Sequence, residues 1–138
     1  YEGETVLKDN QNFPLVGAVK AGLPTLARQD IEEYLKVPDS VARKADFALR
    51  ISGDSMNELN IKDGDIVFVK QQPMVENGEI AVVMVNGEDA TIKQFYYQGN
   101  HVTLIPRSKN PIYSPLVYDT SETEIMVVGK VVSAYISV

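Results

Sequence analysis

The feature that most limits the fold is a series of short β-prone runs, each closed by a turn signal. "DFALRI" (Asp46 to Ile51) alternates apolar and polar residues, "DIVFVK" (Asp65 to Lys70) is apolar and β-branched, and "EIAVVMV" (Glu79 to Val85) is almost continuously apolar. Asn86-Gly87, a strong hairpin signal, then leads into "DATIKQFYY" (Asp89 to Tyr97). Gln98-Gly99-Asn100 marks a second turn before "HVTLIP" (His101 to Pro106), and "EIMVVGKVVSAYISV" (Glu124 to Val138) closes the chain. Strands this short and this regularly punctuated predict a mostly β domain, a compact multi-stranded barrel or sandwich.

The first third is less regular. Residues 1–14 are polar and without periodicity, and read as a linker; the folded domain is expected over 15–138. "LVGAVKAGLP" (Leu15 to Pro24) suits an extended segment, because its glycines and proline penalise a helix interior. "TLARQDIEEYLKV" (Thr25 to Val37) is the best candidate for a short helix or irregular strand, ended by Pro38. The 138 residues, 44% hydrophobic and 23% charged, suffice for one domain with a core. No apolar run approaches the ~18 residues of a membrane span. The polar, acidic start does not look like a signal peptide. Tyr1 in place of Met suggests a fragment with something upstream.

The net charge of -6, with thirteen scattered Lys and Arg, argues against nucleic-acid binding by this segment alone. With no cysteine there is no disulfide, thiolate chemistry or cysteine zinc site. A single histidine, His101, rules out a His-rich metal site and is expected at the surface. The acidic Asp63-Gly64-Asp65 reads as a turn, since a calcium loop needs further spaced oxygen ligands and a later Glu. No metal or other cofactor is expected.

One stretch invites chemistry. "SGDSM" (Ser52 to Met56) ends a strand-like run with two serines around Gly-Asp. A serine hydroxyl is a poor nucleophile until a base takes its proton. Apart from His101, the available base is a lysine, which must be neutral and therefore desolvated. Lys93, inside "ATIKQFYY", lies within a strand, and alternation sets Thr91, Lys93 and Phe95 on one face. Lys70 borders Gln71-Gln72 and should be solvated. Spacing alone leaves a plainer arrangement open, with Ser55 as a turn residue, Lys93 on a wet strand face and Met56 in the core.

Taken together, "LRISGDSMNELNIKDGDIVFV", "GEIAVVMVNGEDATIKQF" and "VTLIPRSKNPIYSPLVY" resemble the C-terminal domain of LexA-type repressors. That group includes the lambda-like phage repressors and the UmuD polymerase-accessory proteins. The resemblance runs from about Leu15 to Val138, with the serine of "SGDSM", the lysine of "TIK" and the Ala-Gly pair of "VGAVKAGLP" in matching order. It implies a mostly β domain of the LexA C-terminal type with an extended cleavage-site segment. It also implies autoproteolysis, a serine endopeptidase of the Ser-Lys dyad type acting on its own chain. Ser55 would be the nucleophile, Lys93 the general base and Ala21–Gly22 the scissile bond. Small residues at that bond let a strand approach the serine closely. Val19 and Ala21 would anchor the segment, with Lys20 turned away. Backbone N–H groups of Asp54 and Ser55 could form an oxyanion hole, with Gly53 giving that turn its freedom. Thr91 could orient the Lys93 amine.

The resemblance further implies a bacterial, cytoplasmic transcriptional repressor of the SOS response to DNA damage. Its cleavage would be stimulated by the RecA filament on single-stranded DNA as co-protease, with Gly17 and Gly22 as flexible points. DNA would be contacted only through a missing N-terminal domain. The domain would form a homodimer, for which the closing apolar run could supply an edge strand or, equally, be wholly core. One alternative is a UmuD-like accessory protein, although that group usually carries Cys before the Gly where this chain has Ala21. The other is a catalytically silent dimerisation domain. A signal peptidase, with a related dyad, would need a membrane anchor.

Overall fold

A computed structural model describes residues 12–17, 31–51, 57–59, 61–87 and 90–135. The strands are β1 (Phe13–Val16), β2 (Ile31–Leu35), β3 (Phe47–Arg50), β4 (Ile66–Gln71), β5 (Ile80–Val85), β6 (Thr91–Gln98), β7 (His101–Ile105), β8 (Leu116–Asp119) and β9 (Ile125–Tyr135). One short helix, α1 (Asp39–Lys44), and a 3-10 turn, Asn57–Leu59, complete the described elements. The domain is mostly β, as expected.

The strands form one sheet in the order β2-β1-β3-β4-β9-β5-β6-β7-β8. Neighbours are antiparallel except β1 and β3, which run parallel. Turn chemistry explains the two hairpins. Asn86 and Gly87 both adopt positive φ, at 52° and 74°, as the expected turn requires. Gly99, at φ 60°, opens the two-residue turn that brings Gln98 opposite His101.

β9 is the joint of the sheet. Its first part pairs with β5, Ala81 meeting Lys130 and Val85 meeting Ile125. Its later part pairs with β4, Lys70 meeting Lys130 and Ile66 meeting Tyr135. It therefore lies inside the sheet, and of the two readings left open for the closing run the edge strand is excluded over Ile125–Tyr135. At Gly129 the ladders are so close that a Cβ would collide with the Lys70 carbonyl and come within 2.7 Å of Val69 Cγ1.

Apolar side chains gather in three clusters. One, around Val16, Phe47, Val67, Val69, Val82, Met84 and Ile92, draws on β1, β3, β4, β5 and β6. A second joins β1, β3 and β4, where Phe13 and Phe68 meet edge-on with centroids 5.7 Å apart. Phe13 is fully buried, so the sheet begins inside the stretch read as linker. The third cluster holds Ala81, Val83, Phe95, Val102 and Leu104 under the β5–β6–β7 hairpins.

Ile31–Leu35, in the stretch left open between helix and irregular strand, is a strand. Ile31 and Leu35 are spaced as on a helix, but β1 offers open backbone groups. The pairing of Val16 with Ile31 and Phe13 with Leu35 decides the outcome.

Candidate functional site

The site begins with the register of β5 and β6. Lys93 stands opposite Ala81, and Thr91 opposite Val83. Ala81 and Val83 are fully buried, and Phe95, two residues on, is 3% exposed. Thr91, Lys93 and Phe95 thus share a face, with Ile92 turned into the other cluster. Lys93 is left only 8% exposed, a rare condition for a lysine. Lys70, at its strand end, is exposed.

The amine is held as well as buried. Lys93 Nζ donates to Thr91 Oγ1 at 2.6 Å and to the Ile92 carbonyl at 3.2 Å. Burial pushes its pKa below the ordinary lysine value, because a charged ammonium loses hydration that apolar neighbours do not return. A second lysine lies in the same row. Lys130 also faces Ala81, from β9, and its Nζ is 2.6 Å from Glu79 Oε2. That contact raises the Lys130 pKa and lowers that of Glu79. Of these two lysines, Lys130 is a paired cation and Lys93 a desolvated amine.

Ser55 and Asp54 lie outside the described residues, as do Gly53, Met56, Val19, Ala21 and Gly22. The chain is anchored on both sides of the serine. Upstream, the Ile51 N–H donates to the Asp65 carbonyl at 2.7 Å and the Gly64 N–H to the Ile51 carbonyl at 2.8 Å. Asp63–Asp65 forms the expected turn, with Gly64 at φ 90° and the Asp65 carboxylate accepting from the Lys62 N–H at 2.9 Å. Downstream, the Glu58 N–H donates to the Arg107 carbonyl at 2.7 Å. Val16 and Ile31, on either side of the stretch holding Ala21 and Gly22, are ladder partners.

His101 is exposed at the start of β7. Among the described residues no cluster of three or more acidic or histidine side chains is arranged to hold a metal. Nor is any helix among them long and apolar enough to cross a membrane. Sequence reading missed Ala81, the small residue that gives the lysine its apolar wall. It is the one alanine in "IAVVMV", but matching it to Lys93 requires the hairpin register.

Fold and site together define a mostly β domain that holds a desolvated lysine inside its sheet. Residues 14–132 match the Peptidase S24-like family, and the chain belongs to it. It is 42% identical over 124 residues to LexA repressor 1 of Geobacter sulfurreducens, an alignment covering 90% of this chain and 60% of that protein. It is 44% identical over 124 residues to the LexA repressor of Bacillus cytotoxicus, covering 88% and 57%. LexA repressor 2 of Geobacter sulfurreducens is 37% identical over 133 residues, covering 96% and 64%. The chain thus spans about three-fifths of the length of these relatives.

Proposed function

We propose that this chain is the self-cleaving and dimerising domain of a LexA-like repressor, cutting its own Ala21–Gly22 bond with Ser55 and Lys93. The observation that carries the reading is Lys93: an amine buried in a strand, held by Thr91 and depressed in pKa by desolvation. A surface lysine stays charged at neutral pH and cannot accept a proton. A desolvated one can serve as general base.

In this mechanism neutral Lys93 takes the Ser55 hydroxyl proton as Oγ attacks the Ala21 carbonyl carbon. Backbone N–H groups of Asp54 and Ser55 stabilise the oxyanion. The tetrahedral adduct collapses, the Ala21–Gly22 C–N bond breaks, and the Lys93 ammonium returns its proton to the Gly22 amine. Water, deprotonated by the same lysine, then releases Ala21 as a carboxylate and frees Ser55. Val19 and Ala21 seat the segment. Thr91 keeps the amine aimed.

The names of the relatives support a repressor over a polymerase-accessory role. In the repressor reading, DNA contacts come from an N-terminal domain and cleavage separates it from a homodimerising half. A RecA filament on single-stranded DNA favours the docked, cleavable arrangement in the bacterial cytoplasm. The test is mass spectrometry of the chain after incubation at pH 7 and at about pH 10, beside Ser55→Ala and Lys93→Ala. One cut between Ala21 and Gly22, faster at high pH and lost in both variants, is expected. An intact chain at both pH values, or cutting that survives Ser55→Ala, rejects the mechanism.

A further inference from the structure

Arg107 joins two parts of the molecule that the chain keeps far apart. Its Nη1 donates to Gln94 Oε1 at 2.9 Å, and Gln94 sits beside Lys93 on β6. Its Nε lies 3.4 Å from Glu58 Oε1, and its carbonyl accepts the Glu58 N–H at 2.7 Å. Glu58 belongs to the 3-10 turn just downstream of Ser55. Gln94 is fixed in turn, its Nε2 donating to the Gly78 carbonyl at 3.0 Å.

Stability does not account for this arrangement. The Arg107 and Glu58 side chains are 41% and 39% exposed, and ion pairs that wet contribute little to folding. What the fork-shaped guanidinium supplies is geometry, since one planar group meets a strand amide on one side and a turn carboxylate on the other. Gln94 points away from the lysine face, so the linkage runs through the backbone of β6 and adds no charge beside the Lys93 amine.

We propose that Arg107 is a positioning residue. It ties the chain just past Ser55 to the strand that carries Lys93, and so sets the spacing of nucleophile and base. The proposal rests on the Ser55–Lys93 reading above. Small displacements of reacting groups cost rate steeply, so the loss expected on cutting the tie is roughly tenfold or more.

The experiment measures first-order self-cleavage of the chain across alkaline pH for Arg107→Ala, Gln94→Met and their double variant. Glu58→Met, which has no acceptor oxygen, cuts the turn side at a partly exposed residue outside the core. Each single variant should cleave roughly tenfold more slowly. The double variant should be no slower than Arg107→Ala, because both remove one linkage. The pH at half-maximal rate should stay at the wild-type value, since Lys93 keeps its surroundings. Amide hydrogen exchange should quicken at Glu58. Wild-type rates in Arg107→Ala and Glu58→Met overturn the proposal, as does a shifted pH profile. If the wild type cleaves and the variants match it, only the role of Arg107 falls. If the wild type never cleaves at any pH, the dyad reading falls, and this proposal with it.

Discussion

Thr91 Oγ1 lies 2.6 Å from Lys93 Nζ, on the one face of β6 that the third apolar cluster covers. The contact aims the amine without adding a charge to it. Thr91→Val keeps the shape and removes the oxygen. A hydrogen bond of this kind contributes about 1–1.5 kcal/mol, so self-cleavage should slow roughly tenfold. Thr91→Ser should keep most of the rate. Single-turnover cleavage followed by gel or mass spectrometry decides, and a wild-type rate in Thr91→Val would remove the orienting role.

Burying Lys93 has a cost that depends on pH. Its folded pKa is depressed by desolvation, so the unfolded chain binds the proton more readily. Below the folded pKa both states are charged and the penalty is at its full value. As pH rises towards the unfolded value of about 10.4 the penalty fades, because both states become neutral. Lys93→Met should therefore be more stable than the wild type at neutral pH, with the advantage shrinking as pH rises through that window. Urea titrations at several pH values, done on Ser55→Ala backgrounds to prevent cutting, check the sign. A gap that widened with pH would contradict it.

Gly129 sits where β9 passes from one neighbour to the other. A methyl group there meets the Lys70 carbonyl oxygen and, at 2.7 Å, Val69 Cγ1. Backbone cannot yield as a flexible side-chain end can. Gly129→Ala should destabilise the domain by about 1–3 kcal/mol, the usual cost of overpacking. Chemical denaturation measures it, and an unchanged midpoint would show that the two ladders can separate freely.

Asp65 is 8% exposed and its carboxylate accepts the Lys62 N–H at 2.9 Å. The same residue's carbonyl takes the Ile51 N–H at 2.7 Å, just before "SGDSM". Asp65→Ala leaves a half-buried donor without its acceptor and should cost about 1–3 kcal/mol. Asp65→Asn, which retains an acceptor oxygen, should cost less. Thermal melts that ranked the two equally would assign the effect to charge alone.

Much of this domain could be read from local pattern. The six β-prone runs became β3, β4, β5, β6, β7 and β9, because alternation, β-branching and turn residues act over a few neighbours. The hairpin glycines sit at positive φ for the same local reason. Ile31–Leu35 and the short β8 carried no clear local preference, and their pairing with β1 and β7 settled them. The burial of Phe13, inside a stretch whose polar neighbours mask it, likewise depends on packing against β3 and β4.

The candidate site divides along the same line. Sequence alone determined that Lys93 lies within a strand and shares a face with Thr91 and Phe95, since period two is a property of the backbone. Only the tertiary structure decided that this face is dry. That depends on Ala81 and Val83 arriving opposite by hairpin register, and on β9 bringing Lys130 already paired to Glu79. Burial and the depressed pKa are set by atoms remote in the chain, and no local pattern encodes which strands come to lie side by side.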